Sequence, residues 1–394
     1  MTEVAERLEE LRDRGLYRRL RLIEGPQGPT VTLDGRPVLL LCSNNYLGLA
    51  DRAEVREAAA EAALQWGAGA GASRLISGNM EPHRALESRL AAFKGYGAAL
   101  LFGSGYLANT GTIAALAGRG EVVFSDELNH ASIVDGCRLS RAETFVYRHG
   151  DTEHLEWGLY RARGRPALIV SDGVFSMDGD VAPLPQLLEV ARRHGARLMV
   201  DEAHATGAVG PGGRGSVAAA GLSGEVDVVV GTLGKALGSY GAYVCAGEEI
   251  VDLLVNSARP FIFSTAPPPP AVGAALAALA ILEAEPVLAE RLQANARALR
   301  EALAAEGLGA SSSKTQVVPL EVGDAERTME LCEKTMERGV FAQGIRPPTV
   351  PEGSSRLRFT VMATHRREEL VGAAREVAAA ARELGLVASQ PLAA

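Results

Sequence analysis

A single lysine lies among glycines in the stretch Gly231-Thr232-Leu233-Gly234-Lys235-Ala236-Leu237-Gly238. Apolar runs flank it at residues 226–230 and 241–245, so the stretch connects two predicted strands. A surface lysine does not need small neighbours, whereas a lysine that condenses with a flat aromatic aldehyde does, because backbone and ring approach closely. From these residues alone, a plain lysine in a surface turn remains an equal alternative.

Short apolar strands alternate with helices over the middle of the chain. The predicted strands are 98–102, 122–124, 144–147, 167–171, 198–201, 226–230 and 242–245, and the predicted helices are 82–94, 105–117, 130–140, 152–162 and 184–194. This alternation predicts an α/β fold with a mainly parallel seven-stranded sheet that carries helices on both faces. In such sheets ligands bind beyond the carboxyl ends of the strands, so the residues that follow each strand are the ones to inspect for chemistry.

The pattern changes at both ends of this region. Residues 1–24 place leucines at helical spacing, and Asp34-Gly35 predicts the tight turn of a hairpin. After the proline-rich break at 264–270 the sequence predicts a long helical region to about 306 and then a strand (317–322), a helix (325–338), an extended piece (356–361) and a last helix (366–385). We therefore expect an N-terminal arm and hairpin (1–45), a large α/β domain (46–262) and a small C-terminal α+β domain (263–394).

The composition excludes several classes of protein. The 394 residues are 47% hydrophobic and 22% charged with a formal net charge of −8, which argues against a nucleic-acid partner. The apolar runs are too short to span a bilayer, so no membrane partner is expected. The four cysteines are scattered without CxxC spacing, which excludes a zinc knuckle and favours a reducing compartment. We expect a cytoplasmic globular enzyme.

A glycine-rich turn follows the first predicted strand of the sheet. The stretch Gly103-Ser104-Gly105-Tyr106 opens a helix, and backbone N–H groups at a helix N-terminus bind phosphate. A plain tight turn and the phosphate turn of an NAD-dependent dehydrogenase are the alternatives, the latter with Asp126 as the ribose-binding acid. Ala108 stands at the third position of the dinucleotide fingerprint, which weakens the dehydrogenase interpretation.

Polar residues also follow three other strands. His130 opens a helix, Ser176 lies in a glycine-rich loop, and Asp201-Glu202-Ala203-His204 comes directly after an apolar strand. The last four letters match a helicase motif, but the chain has no G-x-x-x-x-G-K-[ST] stretch to bind a nucleoside triphosphate. A metal site built from Asp201, His204 and His130 lacks a fourth ligand.

One cofactor, pyridoxal 5'-phosphate, gives every one of these positions a role. The expected roles are an imine to Lys235, a ring-nitrogen partner in Asp201, a stacking ring in His130, a phosphate site at Gly105 and Tyr106, and contacts to the ring oxygen from Ser176 and His204. A buried carboxylate after a strand seeks a positive partner, which a protonated ring nitrogen supplies. The combination is more specific than any single motif.

Several stretches together resemble the α-oxoamine synthase family of fold-type-I pyridoxal phosphate enzymes, over residues 16–385. They are Ser43–Gly48, Asp126–Ser132, Gly173–Gly179, Asp201–Gly207 and Thr232–Lys235. The resemblance implies a transferase that joins an amino acid to an acyl-CoA with loss of CO₂, and a homodimer with active sites at the subunit interface. It also assigns Thr232 to the cofactor, together with Ser264 and Thr265 of the neighbouring chain.

Within the family, Gln343–Pro351 and Arg356–Thr360 resemble the branch that makes 8-amino-7-oxononanoate for biotin. This implies condensation of L-alanine with pimeloyl-CoA or a pimeloyl-carrier protein; glycine C-acetyltransferase, which uses glycine and acetyl-CoA, is the alternative. By this resemblance Lys235 removes the Cα proton, and the expected substrate-binding residues are Arg18 for the acyl chain, Thr349 beside the product, Arg358 for the amino-acid carboxylate, and Asn44 and His130 for the oxyanion.

Overall fold

The computed structural model describes residues 2–309 and 312–387. Its helices are α1 (Glu3–Asp13), α2 (Ala53–Trp66), α3 (Glu81–Lys94), α4 (Gly105–Leu116), α5 (Ala131–Ser140), α6 (Thr152–Arg161), α7 (Leu184–His194), α8 (Ser216–Ala219), α9 (Glu248–Ser257), α10 (Arg259–Ile262), α11 (Pro269–Ala284), α12 (Val287–Ala305), α13 (Ala325–Glu337) and α14 (Arg367–Glu383). Its strands are β1 (Ile23–Glu24), β2 (Thr30–Leu33), β3 (Arg36–Leu40), β4 (Ala98–Phe102), β5 (Val122–Asp126), β6 (Glu143–Tyr147), β7 (Ala167–Asp172), β8 (Arg197–Asp201), β9 (Val228–Thr232), β10 (Ala242–Ala246), β11 (Val317–Gly323), β12 (Val340–Phe341), β13 (Gln343–Ile345) and β14 (Ser355–Thr360).

The chain forms two compact units. The larger unit contains residues 45–176 and 180–290, and the smaller unit contains the described residues of 1–44, 177–179 and 291–394. The predicted boundary at residue 263 differs from this division, because α11 packs against α2 and so groups with the larger unit.

The larger unit is built on a seven-stranded sheet in the order β4-β10-β9-β8-β7-β5-β6. All neighbours pair in parallel except β10, which runs antiparallel to β4 and β9. Alternate residues of each strand face opposite sides: in β9, Val228 and Val230 join one apolar cluster and Val229 joins the other. Both faces are therefore buried under helices, as the continuous apolar strands predict. The expected fold class is confirmed.

The smaller unit contains two sheets. One has the order β1-β2-β3-β12, and the other has the order β11-β14-β13. The predicted hairpin forms between β2 and β3, and Asp34 and Gly35 adopt φ values of 49° and 78°, as this kind of two-residue turn requires. Helix α13 packs against β13 and β14. This is the expected small α+β unit.

Two helical predictions need correction. The N-terminal helix ends at Asp13 and buries none of its residues, because Gly15 takes a φ of 64° and ends the helix; residues 14–22 form no helix. The long helical region after 268 is two helices, α11 and α12, with an angle of 81° between them. Pro286 lies in the break, where its missing N–H group and ring disfavour a continuous helix.

Among the described residues, no single helix is both long enough and apolar enough to cross a bilayer. Helices α11 and α12 reach that length and apolar composition only together, and the pair is bent by 81°.

Candidate active site

The expected catalytic residues of the larger unit lie at one edge of its sheet. Asp172 and Asp201 end the neighbouring parallel strands β7 and β8 and stand opposite each other in register. Strand β9 lies next to β8, and Lys235 follows three residues after it. Because parallel strands end at the same edge, the two carboxyl groups and the lysine come from adjacent strand ends, where α/β sheets bind ligands.

Two glycines let three loop segments meet at this edge. A side chain at Gly207 would collide with Ala236, and a side chain at Gly238 would collide with the backbone of Leu49 and Ala50. Both glycines have positive φ, 79° and 59°. Residues 45–50, 201–207 and 233–238 are therefore in close contact, which explains why small residues surround the lysine.

A row of hydrogen bonds links one side chain from each of these three segments. The Lys235 Nζ atom lies 2.6 Å from Nε2 of His204, and Nδ1 of His204 lies 2.6 Å from the Tyr46 hydroxyl. His204 and Tyr46 are buried, and Lys235 is half-buried. The structure thus brings together Lys235 and His204, which the sequence predicted, and adds Tyr46.

A second row of hydrogen bonds connects Asp201 to His130. Asn109 of α4 donates through Nδ2 to the Asp201 Oδ2 atom at 2.6 Å and to Ser132 Oγ at 2.8 Å. Ser132 Oγ lies 2.8 Å from Nδ1 of His130. The other oxygen of Asp201 accepts the backbone N–H of Ala203 at 2.8 Å. The Asn109 amide therefore holds the Asp201 carboxylate directly and the His130 imidazole through Ser132.

The protonation of His130 reflects its surroundings. The residue keeps solvent access, but the protein atoms around the ring desolvate it and lower its pKa. The positive charge of Lys235 lowers that pKa further, while the negative charge of Asp201 acts in the opposite sense. The ring is therefore a neutral imidazole near pH 7, which suits stacking on an aromatic ring.

Asp172 is a buried carboxyl group that the sequence analysis did not assign. Its Oδ2 atom accepts the backbone N–H of His130 at 2.8 Å, which fixes the start of α5. Burial raises its pKa well above the usual range, and the neighbouring charge of Asp201 raises it further. The hydrogen bond from the His130 backbone and the positive charge of Lys235 lower this pKa, but burial outweighs them.

The expected phosphate site lies at the N-terminus of α4, the helix that also carries Asn109. Ser104 caps the helix by accepting the N–H of Leu107 at 3.2 Å, and the first N–H groups of any helix lack intrahelical partners. The Tyr106 hydroxyl donates to the Asp135 carboxylate on α5. The Tyr106 hydroxyl is thus engaged with Asp135, so the predicted phosphate contacts of Gly105 and Tyr106 would come from their backbone N–H groups.

Three further predicted cofactor residues of the larger unit lie at a strand end or in a loop. Thr232 ends β9, and its hydroxyl accepts the N–H of Gly234 at 3.2 Å, which shapes the turn before Lys235. Thr265 is exposed and forms an antiparallel bridge with Ser73, and Ser264 precedes it.

The loop that carries Thr265 is anchored from α3. The Nε2 atom of His83, a buried residue, lies 2.8 Å from the carbonyl oxygen of Pro267. Burial lowers the pKa of His83, so its neutral ring donates to this carbonyl. Ser176 is half-buried in the loop after β7.

The predicted substrate residues belong to the smaller unit. Arg358 is buried in β14, the middle strand of its sheet, where it stands opposite Pro319 and Gln343. Thr349 is exposed in a turn, and its backbone N–H donates to the Arg346 carbonyl. Arg18 is exposed as well, and Asn44 is half-buried at the end of its segment.

Arg346, buried in the smaller unit, has a nearby arginine. Burial lowers its pKa and the positive charge of Arg18 lowers it further. Its Nη2 group donates to the Tyr17 carbonyl at 3.0 Å, which ties the N-terminal segment to the turn before Thr349.

Both carboxylate oxygens of Asp126 are used in local hydrogen bonds. Its two carboxylate oxygens accept the backbone N–H groups of Leu128 and Gly150, both at 2.9 Å, and one of them lies 3.0 Å from Nδ1 of His149. The other ring nitrogen of His149 lies 2.9 Å from Asp180. These contacts shape the turn after β5, which argues against Asp126 as the ribose-binding acid of the dehydrogenase alternative.

The metal hypothesis gains no support either. Within residues 2–309 and 312–387, no group of three or more His, Cys, Asp or Glu side chains is placed to hold a metal ion. His204 instead uses its two ring nitrogens for Lys235 and Tyr46.

Comparison with known proteins agrees with this geometry. Residues 36–377 match the family described as aminotransferase class I and II. The chain is 54% identical over 387 residues to 8-amino-7-oxononanoate synthase of Geobacter sulfurreducens, which covers 98% of this chain and 99% of the relative. It is 53% identical to the enzyme of the same name from Citrifermentans bemidjiense, over 98% of this chain and 100% of that one.

Solved structures of related enzymes share the fold of this chain. Serine palmitoyltransferase from S. paucimobilis, with bound PLP and myriocin, superposes with a TM-score of 0.93 at 34% identity over 98% of both chains. The 8-amino-7-oxononanoate synthase of Francisella tularensis superposes with a TM-score of 0.76 at 28% identity, over 88% of this chain and 99% of that one. The chain therefore belongs to the aminotransferase class I and II family, among the relatives of the 8-amino-7-oxononanoate synthases. The predicted resemblance to α-oxoamine synthases is confirmed.

Proposed function

We propose that this chain is a pyridoxal phosphate-dependent acyltransferase that condenses L-alanine with a pimeloyl thioester to give 8-amino-7-oxononanoate, CO₂ and the free thiol of the carrier. Relatives more than half identical over almost the whole chain carry the name of this activity. The local geometry supports the cofactor, and the arginines of the smaller unit support a substrate that carries carboxylates.

One observation about Asp201 carries the cofactor assignment. The residue is 3% exposed, and the hydrogen bonds that its carboxylate accepts from described residues come from uncharged donors, the Asn109 amide and the Ala203 backbone N–H. A buried carboxylate without a cation is costly. A protonated pyridine nitrogen supplies the missing charge, so the residues present fit this cofactor.

The bound cofactor supplies an electron sink that stabilises negative charge at the amino-acid Cα atom. The chain supplies everything else. Asn109 orients the Asp201 carboxylate, neutral His130 offers a flat ring, and the N-terminus of α4 binds phosphate through backbone N–H groups.

Lys235 is the group we assign to proton transfer. Its amine lies within hydrogen-bond distance of His204, and once free it can take the Cα proton and later return one. His130 and Asn44 are assigned to the oxygen of the thioester carbonyl, where donated hydrogen bonds stabilise developing negative charge.

The remaining site residues follow the family resemblance. We assign Arg358 to the amino-acid carboxylate, because a guanidinium group binds a carboxylate through two hydrogen bonds. Arg18 and Thr349 are assigned to the acyl chain and the product, and Ser176, His204, Thr232, Gly105 and Tyr106 to the cofactor.

We also propose a cytoplasmic homodimer. Leu75, Ile76 and Phe263 are large apolar side chains that remain exposed beside the bridge between Ser73 and Thr265. A second copy of the chain on this surface would bury them and bring Ser264 and Thr265 to the neighbouring active site. All four cysteines are unpaired thiols, as expected for a reducing compartment.

A parallel assay tests the proposed reaction. Purified protein is supplied with L-alanine and pimeloyl-CoA, with glycine and acetyl-CoA, and with L-serine and palmitoyl-CoA, and CO₂ and free thiol are measured. The first pair should give the highest kcat/KM, and Lys235→Ala should remove all turnover. Preference for glycine and acetyl-CoA would instead identify a glycine C-acetyltransferase and contradict the proposed substrates.

A further inference from the structure

Tyr46 occupies a position that no role of the proposed reaction explains. Its side chain is fully buried, and its hydroxyl lies 2.6 Å from Nδ1 of His204. The backbone around it is fixed: the Asn45 side chain accepts the N–H of Ala50 at 3.1 Å, and Gly48 donates to the Asn45 carbonyl at 2.9 Å. The phenol is therefore held against the histidine by both its own loop and the glycine contacts described above.

Each nitrogen of His204 faces a group whose proton can move. Nδ1 faces the Tyr46 hydroxyl, which both donates and accepts, and Nε2 faces the amine of Lys235. When Lys235 is an ammonium, it donates to Nε2, so Nδ1 carries the proton and needs Tyr46 as an acceptor. When Lys235 is a neutral amine, Nε2–H can donate to it, and the Tyr46 hydroxyl then donates to Nδ1.

We propose that Tyr46 is a positioning residue that lets His204 change tautomer as Lys235 gains and loses its proton. The proposal rests on the function proposed above, in which Lys235 carries the Cα proton. A hydroxyl is needed at this place because it satisfies Nδ1 in both states, whereas an apolar side chain satisfies neither.

Other titratable groups lie near the hydrogen bonds that join Tyr46, His204 and Lys235, and replacement of Tyr46 does not remove any of them. Asp201 ends β8 three residues before His204, and Asp172 lies beside it at the end of β7. His130 at the start of α5 and Asp172 both sense the charge of Lys235. A change confined to the Tyr46 hydroxyl leaves all of these groups in place.

The test compares Tyr46→Phe with a matched control, Tyr243→Phe. Tyr243 is also fully buried, but the partner of its hydroxyl is Thr206, at 2.9 Å. The rate at which pyridoxal phosphate attaches to the cofactor-free protein is followed by absorbance as a function of pH, since attachment requires the neutral amine of Lys235.

We expect Tyr46→Phe to retain attachment but to lower the pH midpoint of this rate by about half to one unit. The ammonium state suffers more from the lost hydroxyl, because a buried N–H without an acceptor is tolerated less than a lone pair without a donor. The kcat should fall by about tenfold with the KM for both substrates unchanged. Tyr243→Phe should keep the wild-type midpoint.

The outcomes separate this inference from the proposed function. A midpoint that is unchanged or raised in Tyr46→Phe, or lowered equally in Tyr243→Phe, overturns the role of Tyr46. Failure of wild-type Lys235 to attach the cofactor overturns the proposed function instead. If Tyr46→Phe does not fold, 3-fluorotyrosine at position 46 keeps the shape of the tyrosine side chain. Its more acidic hydroxyl favours donation to Nδ1 of His204 and should also lower the pH midpoint. An unchanged midpoint would refute the positioning role of Tyr46.

Discussion

Replacement of Lys94 by methionine tests how the turn that carries Asp201 and His204 is held in place. Lys94 of α3 is 4% exposed and Glu202 is 0% exposed, and the two form an ion pair. The Lys94 Nζ atom also lies 2.5 Å from the Arg214 carbonyl. The second Glu202 oxygen accepts from Ser216 Oγ at 2.9 Å and from the backbone N–H of residue 217 at 2.7 Å.

The size of the effect follows from burial. Methionine keeps the apolar part of the side chain but leaves the Glu202 carboxylate buried without a cation, which costs about 3–5 kcal/mol of unfolding free energy. An unfolding entropy of about 2.1 cal/mol/K per residue, taken over the whole chain, converts this to a fall in Tm of about 4–6 °C. The double variant Lys94→Met with Glu202→Gln removes both charges and should recover part of the loss.

Calorimetry of the holoenzyme at one protein concentration measures these shifts. The control is Arg192→Met, which breaks an ion pair to Glu225 whose two side chains are 60% and 45% exposed. An exposed pair contributes about 0–1 kcal/mol, so this Tm should fall by about 1 °C at most. Equal shifts in Lys94→Met and Arg192→Met would refute the argument that burial makes the Lys94 pair important.

Three further outcomes are expected. Gly231→Ala should cost about 1–3 kcal/mol or more in chemical denaturation, because its Cβ would overlap the buried ring of Tyr243, whereas Gly247→Ala, with no atom within 4 Å, should change little. His149 lies between the carboxylates of Asp126 and Asp180, which raise its pKa to about 10, so this bridge stabilises the folded protein fully below about pH 6.5 and is lost as the pH rises towards 10. His149→Gln should therefore flatten the dependence of Tm on pH between these values. A dependence as steep as that of the wild type would refute the bridge. Asp201→Asn should lower kcat by about 100-fold or more, because a neutral amide supplies no negative charge. The amide oxygen can keep the hydrogen bond from Asn109 while the Ala203 N–H loses its acceptor, so thermal unfolding is measured in parallel; kcat within threefold of wild type would contradict the role of the carboxylate.

The sheet of the larger unit was largely predictable, because its seven strands are short and continuously apolar. A strand that is buried on both faces needs apolar residues at every position, and this pattern is visible in the sequence. The bounds of each predicted strand, from 98–102 to 242–245, therefore agree with those of an observed strand to within a few residues. The two-residue strand β12 was missed, since two apolar residues carry no period. It pairs with β3, which only tertiary contacts reveal.

The site was predictable where chemistry restricts the residue type. A lysine, an acid and a histidine that follow predicted strands are recognisable as candidate site residues. In the structure Lys235 contacts His204, and Asp201 is linked to His130 through Asn109 and Ser132. Asn109 and Ser132, which form that second link, were missed because an amide inside a helix and a serine in its first turn usually have local roles. From the sequence, Tyr46 resembles an ordinary residue of the apolar core. Its polar contact is visible only in the structure, where its hydroxyl lies 2.6 Å from Nδ1 of His204.

The division into units shows the limit of linear patterns. The proline-rich break at 264–270 resembles a domain boundary, yet α11, which starts inside it, packs on α2, more than two hundred residues earlier in the chain. Likewise the leucines of residues 1–13 suggest a buried face, but α1 buries none of them. Spacing predicts which face of a helix is apolar but not whether anything covers it.

The most direct test of the central claim is the absorbance spectrum of the purified protein, with borohydride reduction followed by peptide mapping. A visible band that borohydride removes, with the pyridoxal phosphate adduct found on Lys235 and with L-alanine perturbing the band at lower concentration than glycine or L-serine, is the predicted result. No band even after added pyridoxal phosphate, or an adduct on another lysine, would contradict the assignment of Lys235 and with it the proposed reaction.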